Sequence, residues 1–350
     1  MKILILGGTG AMGIHVAELL SKAGHQVFVT SRKERIPFGN VEYLKGDAKD
    51  SAFLGKLLSQ SWDAIIDFMI WSTKEFRAKS QMFLAATQQY VFLSSYRVYA
   101  DSPVITEESP RLLDVCSDEE YLATDEYALA KARCEDVLAA SGLKNWTIVR
   151  PAVTYDGSGR FQLGVHEAGL WLWRALHGIP VPFPEAMLEK QATMTWGRDV
   201  ARMIVGLVGN PKATGGVFTV STSEHKTWAE IVEIYKKVVP SLELTSCELD
   251  KFEYERGGVY QIRYDRMFDR VVDNSKILAT VSLNQTDLIS LEDGLVSELE
   301  SYLKNGPNIL GAPGANARMD RLIGGCSSLS SILKKQGIVA GAKYLVRRIV

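Results

Sequence analysis

The sequence predicts an α/β fold: a doubly wound parallel sheet with a smaller, interleaved C-terminal domain. Three observations lead there. Short apolar runs alternate with helical patterns from Lys2 to Val149, the rhythm of a parallel sheet with helical crossovers. The first run ends in a cluster of glycines. Near Tyr155 the rhythm changes, and tryptophans and prolines enter.

Lys2–Leu6 is an apolar run that stops at Gly7, and residues 11–23 follow with helical spacing up to Gly24. Residues 26–30 form a second, β-branched strand. Such a strand–helix–strand unit carries parallel strands and a right-handed crossover. Strands are predicted next at 41–44, 64–70, 90–93 and 146–149, and helices at Ser51–Leu58, 76–87 and 118–141. Residues 101–114 form a polar loop. Gly157-Ser158-Gly159 opens a long predicted helix over 161–177, and Pro180, Pro182 and Pro184 follow it. Trp171 and Trp173 lie two apart on that helix, so at most one is expected to face a cleft. A helix at 199–208 and a strand at 217–220 are expected to rejoin the main sheet. The predicted domains are 1–155 with 192–222, then 156–191 with 223–310, then a tail at 311–350.

Composition narrows the function. A chain of 350 residues with 46% apolar and 23% charged residues is an ordinary globular protein. A net charge of −1 gives no global pull toward nucleic acid, and none is expected as a partner. Cys116, Cys134, Cys247 and Cys326 lie far apart without a CxxC spacing, so neither a metal site nor a disulfide framework is expected. Reduced thiols fit a cytoplasmic setting. The apolar stretch after Met1 is too short for a secretory signal. No stretch reaches the roughly 18 uninterrupted apolar residues of a membrane span. The tail carries seven Lys/Arg against the single acid Asp320. It reads as a terminal helix with a solvated basic face, a membrane-surface or partner helix being the alternative.

Gly7-Gly8-Thr9-Gly10-Ala11-Met12-Gly13 places glycines between a predicted strand and a predicted helix, the context of a Rossmann dinucleotide turn. Gly7 makes the turn, Gly10 lets a pyrophosphate approach the backbone, and Gly13 permits close packing of the helix. Thr9, Ala11 and Met12 are further candidate cofactor contacts at the helix N-terminus. The second strand runs into Ser31-Arg32-Lys33 with no acid before Glu34. A carboxylate there would accept from a ribose 2′-hydroxyl, whereas Arg32 and Ser31 suit a 2′-phosphate. NADP is therefore favoured, with NAD as the alternative. Phe68 and Met69, at the end of the fourth predicted strand, are further candidate cofactor contacts.

Tyr127 and Lys131 stand four apart on a predicted helix and share a face. A free tyrosine titrates near ~10, and a neighbouring ammonium lowers that value toward the range of a useful acid/base. Ser95, after the strand at 90–93, can hold a substrate oxygen. Ser95, Tyr127 and Lys131 are the candidate catalytic residues.

With these residues the chain resembles the extended short-chain dehydrogenase/reductases, which include nucleotide-sugar epimerases and dehydratases. The resemblance covers residues 2–300. It rests on the glycine turn, Gly46-Asp47, Ser94-Ser95-Tyr96-Arg97-Val98-Tyr99, Tyr127-x-x-x-Lys131 and Arg150-Pro151. Asp199-Val200-Ala201, Asp273-x-Ser275-Lys276-Ile277 and Leu291-Glu292-Asp293-Gly294-Leu295 extend it. It implies a Rossmann sheet, a substrate-binding second domain and hydride transfer to or from a nicotinamide. It further implies that Tyr127 is the acid/base, that Lys131 contacts the ribose, that Asp47 and Ala48 lie by the adenine, and that Val153 flanks the nicotinamide. Relatives also commonly pair as homodimers. Several departures stand out. Tyr96-Arg97 replaces the acidic pair of the dehydratases. The helix at 76–87 lacks an asparagine, residues 191–196 lack an arginine, and Asp67-Phe68-Met69 replaces a small-residue strand end. Arg97, Arg263, Arg266 and Arg270 are candidates for a substrate phosphate. The expected function is an NADP(H)-dependent oxidoreductase or epimerase (an isomerase) acting on a sugar nucleotide or related keto or hydroxy substrate. The alternative is a non-catalytic NADP(H)-sensing or RNA-binding protein of the same fold.

Overall fold

Seven of the apolar runs become one parallel sheet: β1 (Lys2–Leu6), β2 (Gln26–Ser31), β3 (Val41–Lys45), β4 (Trp62–Asp67), β5 (Thr87–Leu93), β6 (Trp146–Pro151) and β7 (Gly216–Val220). Their spatial order is β3-β2-β1-β4-β5-β6-β7, and each neighbouring pair is parallel. The chain winds outward in both directions from β1 and β4, so the switch point of the sheet lies between them. An open α/β sheet keeps its ligand crevice at that point, beyond the strand C-termini.

Alternation along the strands feeds two cores. Ile3, Ile5, Val27, Val29, Ile66 and Val91 pack on one face with Val16 and Leu20 of α1 (Gly13–Lys22) and with Met203 and Ile204 of the helix Gly197–Leu207. Leu4, Leu6, Ile65, Phe92 and Ile148 pack on the other face. Their partners are Leu54 of α2 (Ser51–Leu58), Phe76 and Phe83 of α3 (Thr73–Ala85), and Leu138 of α4 (Tyr127–Ala139). Strands covered on both sides must be apolar throughout, which is why they are legible as continuous runs.

The computed structural model describes residues 1–349 and comprises two compact units. The first holds Met1–Thr154, Thr193–Ser223 and Val272–Ile289, and the second holds Tyr155–Ala192, Glu224–Val271 and the chain from Ser290. The segment Val272–Ile289, assigned from sequence to the second domain, joins the first because Ile277 and Leu278 enter its core. The Asn274 amide also donates to the Ser221 carbonyl at 3.0 Å.

Several predicted elements have different ends, each for a local polar reason. β4 stops at Asp67 rather than residue 70, since the Asp67 carboxylate turns back to accept from the Met69 amide at 2.8 Å. α3 starts at Thr73 because Ser72 and Glu75 form a capping box ahead of the apolar spacing. The single helix expected over 118–141 is broken into Glu119–Leu122 and α4. Glu126 is extended there (ψ 152°) and caps α4 through the Ala128 amide at 2.8 Å. The helix expected from 161 begins at Ala168, after a hairpin of Gln162–Leu163 and His166–Glu167. That hairpin turns at Gly164 with φ of 57°, where a side chain would be strained.

In the second unit the helix Ala168–Leu176 is buried on nearly every side. Both tryptophans are packing residues. Trp171 lies 4.5 Å from the Tyr235 ring, and Trp173 joins Ala317, Ile332 and Tyr344 in one cluster. The tail is therefore part of this unit's core. It forms two helices, Pro313–Leu322 and Leu329–Ile349, around the fully buried Asp320. The Asp320 carboxylate accepts from Arg174 at 2.9 Å, the Ser328 hydroxyl at 2.6 Å and the Tyr344 hydroxyl at 2.7 Å. Breaking a buried ion pair from one side leaves an uncompensated charge, at a cost of about 3–5 kcal/mol. Asp320→Ala is thus expected to lower the melting temperature markedly; a variant melting with the wild type would contradict this account of the tail.

Candidate functional site

The turn after β1 is shaped by contacts a Cβ atom would spoil. Gly7 has φ of 70°, and a side chain there would meet Met69 Sδ at 2.9 Å. Its amide donates to the buried Thr30 hydroxyl at 3.0 Å, tying the turn to β2. The Thr9 amide donates to the Gly7 carbonyl at 2.9 Å. Gly13 was read from sequence as the contact between helix and sheet. The structure instead sets it against Gly8 of the turn itself, at 2.5 Å from the Gly8 Cα to an added Cβ. At Gly10 nothing lies within 4 Å of such a Cβ, so the backbone there is open. α1 begins at Gly13, with half-buried Ala11 and Met12 leading into it and no acid in its first turn. An open backbone at the positive end of a helix suits a diphosphate. The residues present therefore fit a dinucleotide.

Where β2 ends, Ser31 is buried, and its hydroxyl donates to the Lys33 carbonyl at 2.7 Å. That bond holds the bend on which Arg32 is exposed. After β3, Asp47 is exposed and accepts from the Lys49 amide at 2.9 Å, and Ala48 is buried. Phe68 and Met69 are half-buried in the loop after β4, and Val153 is buried just past β6.

Ser95 follows β5 and caps the short turn Tyr96–Val98, its hydroxyl accepting from the Arg97 amide at 3.2 Å. Lys131, one turn along α4 from Tyr127, is only 1% exposed. Its ammonium donates to the Leu93 carbonyl at 2.6 Å and to the Met69 carbonyl at 3.1 Å. Those bonds occupy two of its three donors and bind α4 to the end of β5 and to the loop after β4. The Lys131 Nζ lies 5.9 Å from the centre of the Tyr127 ring. Burial pushes the Lys131 ammonium down to about 8 from its ordinary 10.5, and the charge of Asp67 opposes the shift.

Three further groups escaped the sequence reading. Asp67, fully buried, accepts from the Tyr90 hydroxyl at 2.5 Å and the Trp71 indole at 2.8 Å as well as from Met69. Desolvation raises its carboxyl above the usual value. Asp67 thereby fixes the loop whose carbonyl receives Lys131. Glu135 of α4 accepts from the Ser94 hydroxyl at 2.5 Å and takes the Arg150 guanidinium at 2.9 and 2.6 Å. This bond set ties β6 to α4 through Arg150. Glu126 pairs with Arg97 at 2.6 Å. Spacing alone gives no signal for Asp67, but an acid in a continuous apolar strand is itself a flag, because a buried charge must find donors.

The arginines named for a substrate phosphate are engaged within the protein. The Arg97 guanidinium sits 5.2 Å from the Tyr127 ring centre while paired to Glu126. Arg266 and Arg270 are buried at 3% and 2% exposure and both pair with Asp265. Arg263 is bound by Glu253 at 2.7 Å. These guanidiniums already have carboxylate partners, which a phosphate would have to displace.

Residues 7–169 match the family model described as NAD(P)H-binding. The chain is 25% identical over 294 residues to a chloroplast stem-loop binding protein of 41 kDa from Arabidopsis thaliana, covering 79% of this chain and 73% of that protein. It is 24% identical over 243 residues to a 2'-dehydrokanamycin reductase from Streptomyces kanamyceticus, covering 67% and 65%. Among solved structures, an epimerase from Methanothermobacter thermautotrophicus superposes with a TM-score of 0.66 at 15% identity, over 87% of this chain and 92% of that one. A UDP-glucuronic acid 4-epimerase from Bacillus cereus, in complex with UDP-glucuronic acid and NAD, gives 0.65 at 18% identity, over 87% and 99%. Residues 7–169 are thus similar to an NAD(P)H-binding domain, and the fold is shared with a solved short-chain dehydrogenase/reductase superfamily protein.

Lysine titration followed by NMR is expected to show one midpoint near 8, assigned to Lys131. Between that value and the ordinary 10.5 the unfolded chain holds more protons, so this group's contribution to stability rises with pH through the window. Asp67→Asn removes the opposing charge and should move the midpoint lower; an unmoved midpoint would separate the two groups.

Proposed function

We propose that the protein is an NADP(H)-dependent oxidoreductase or epimerase acting on a sugar nucleotide or a related keto or hydroxy substrate, with Tyr127 as the acid/base. The observation that carries this reading is the buried Lys131 ammonium, pinned by two carbonyls one helical turn from Tyr127. A cation so held favours phenolate over phenol. Tyr127 then gives a proton to a substrate oxygen as it becomes hydroxyl, or takes it in the reverse direction. Ser95 donates to the same oxygen and keeps it in place. Arg97, beside the Tyr127 ring, adds a second positive charge. Gly10 and the start of α1 would hold the diphosphate, Arg32 would read the 2′-phosphate, and the third donor of Lys131 would be left for the ribose. When bound, the nicotinamide supplies or accepts the hydride.

A second reading rests on the stem-loop binding relative from Arabidopsis thaliana: an RNA-binding protein on the same scaffold. The two readings part on turnover. Tyr127→Phe should reduce activity by about 10²–10⁴-fold in assays with keto-sugar nucleotides and leave cofactor affinity in place. Salt-dependent binding of a stem-loop RNA by a wild-type protein that turns nothing over would favour the second reading instead.

Cofactor choice is separately testable. Arg32→Asp should weaken NADPH by about 10–100-fold, the worth of a charge-assisted bond, and leave NADH nearly as before. Equal wild-type affinities for the two cofactors in calorimetry would refute the assignment of Arg32.

A further inference from the structure

We propose that the second half of the C-terminal helix docks the protein on an anionic lipid surface. Leu329–Ile349 is kinked at Gly337, whose φ of 81° only glycine adopts easily. Beyond the kink the helix is seated on one side. Gly341 and Tyr344 are buried, Gly341 against Leu333, and Tyr344 on Asp320 at 2.7 Å. The other side faces outward and is apolar. Ile338, Leu345 and Ile349 recur at helical spacing with Val346 beside them, and they are 83%, 46%, 84% and 60% exposed, in that order. Globular surfaces rarely leave so continuous a stripe uncovered.

The charges around the stripe select its partner. From Arg321 to residue 349 there are six Lys/Arg and no Asp or Glu, in a chain whose net charge is −1. Lys343 and Arg347, both exposed, border the stripe, and Lys334 and Lys335 are exposed just before the kink. An apolar face that sinks to the acyl boundary, rimmed by cations at headgroup level, is the pattern of a helix lying in a membrane interface. A single-stranded nucleic acid would call for exposed aromatics to stack its bases, and the one aromatic in this half-helix, Tyr344, is buried. A second copy placed stripe to stripe would set like charges against one another. No helix among the described residues is long and apolar enough to cross a membrane, so this is surface attachment.

The test is sedimentation of the full-length protein with vesicles at roughly 0.1 M salt, where screening leaves headgroup contacts effective. The protein should pellet with phosphatidylglycerol–phosphatidylcholine vesicles and stay in solution with phosphatidylcholine alone. Ile338→Ser with Leu345→Ser, both on the exposed stripe, should abolish pelleting without changing the far-UV spectrum. Lys343→Gln and Arg347→Gln should each weaken binding roughly fivefold. Any of four results overturns the proposal: no pelleting with the anionic vesicles, equal pelleting with neutral ones, retention by the double serine variant, or a dimer at working concentration that this variant dissociates. Competition by stem-loop RNA that persists in the double serine variant would assign the cations to nucleic acid and overturn it as well.

Discussion

A lysine ammonium with almost no solvent access organises the first unit. Lys131 cannot remain charged inside a protein unless oxygens replace the water it has lost, and the carbonyls of Leu93 and Met69 do so. The first ends β5, and the second lies in the loop after the adjacent strand β4. Satisfying one side chain therefore fixes the position of α4 and with it Tyr127. Asp67 extends the same constraint. It is buried in turn and takes two donors from the loop of residues 67–71 folded around its carboxylate and a third from Tyr90 on β5. The loop closes on Asp67, Lys131 closes on the loop, and Met69 packs on the glycine turn at Gly7.

The depressed Lys131 value has a consequence for chemistry. An ammonium near its own titration point is a cation whose charge is readily lost. Its ability to stabilise phenolate then depends on the neighbouring carboxylate and on anything that adds negative charge nearby. The phosphates of a bound dinucleotide would strengthen the ammonium through the same Coulombic route by which Asp67 does. On the proposed function, cofactor binding and the acidity of Tyr127 would in this way be linked, with the Arg97 guanidinium a second cation beside the ring.

Much of the first unit was legible because its strands are buried on both faces and its turn chemistry is local. Lys2–Leu6, the glycines and Ser51–Leu58 needed nothing beyond their own neighbours. What was missed depends on partners distant in sequence. At the end of β4 the Asp67 carboxylate that turns onto the Met69 amide is held by Tyr90 on another strand, and the Glu126 carboxylate that breaks the chain before Tyr127 also binds Arg97. Arg266 and Arg270 read as available cations because Asp265, one residue from Arg266, carries no mark in the sequence that it lies buried between them. The segment Val272–Ile289 has a helical pattern like many others, and only its packing on the first core decides its unit.

The C-terminal segment shows most directly how composition can mislead. Seven cations against one acid suggest a solvated tail, yet that single acid, Asp320, is the centre of the fold there. A fully buried carboxylate must collect donors wherever they lie, and Asp320 takes them from three places along the chain: Arg174, Ser328 and Tyr344. The helix Leu329–Ile349 is consequently held through Tyr344 on its inner side, leaving its outer side unconstrained by folding. Packing thus accounts for the inner face. It gives no reason for isoleucine at 338 and 349, where each side chain is more than four-fifths exposed, and residues that folding does not require are those most readily explained by something the helix touches.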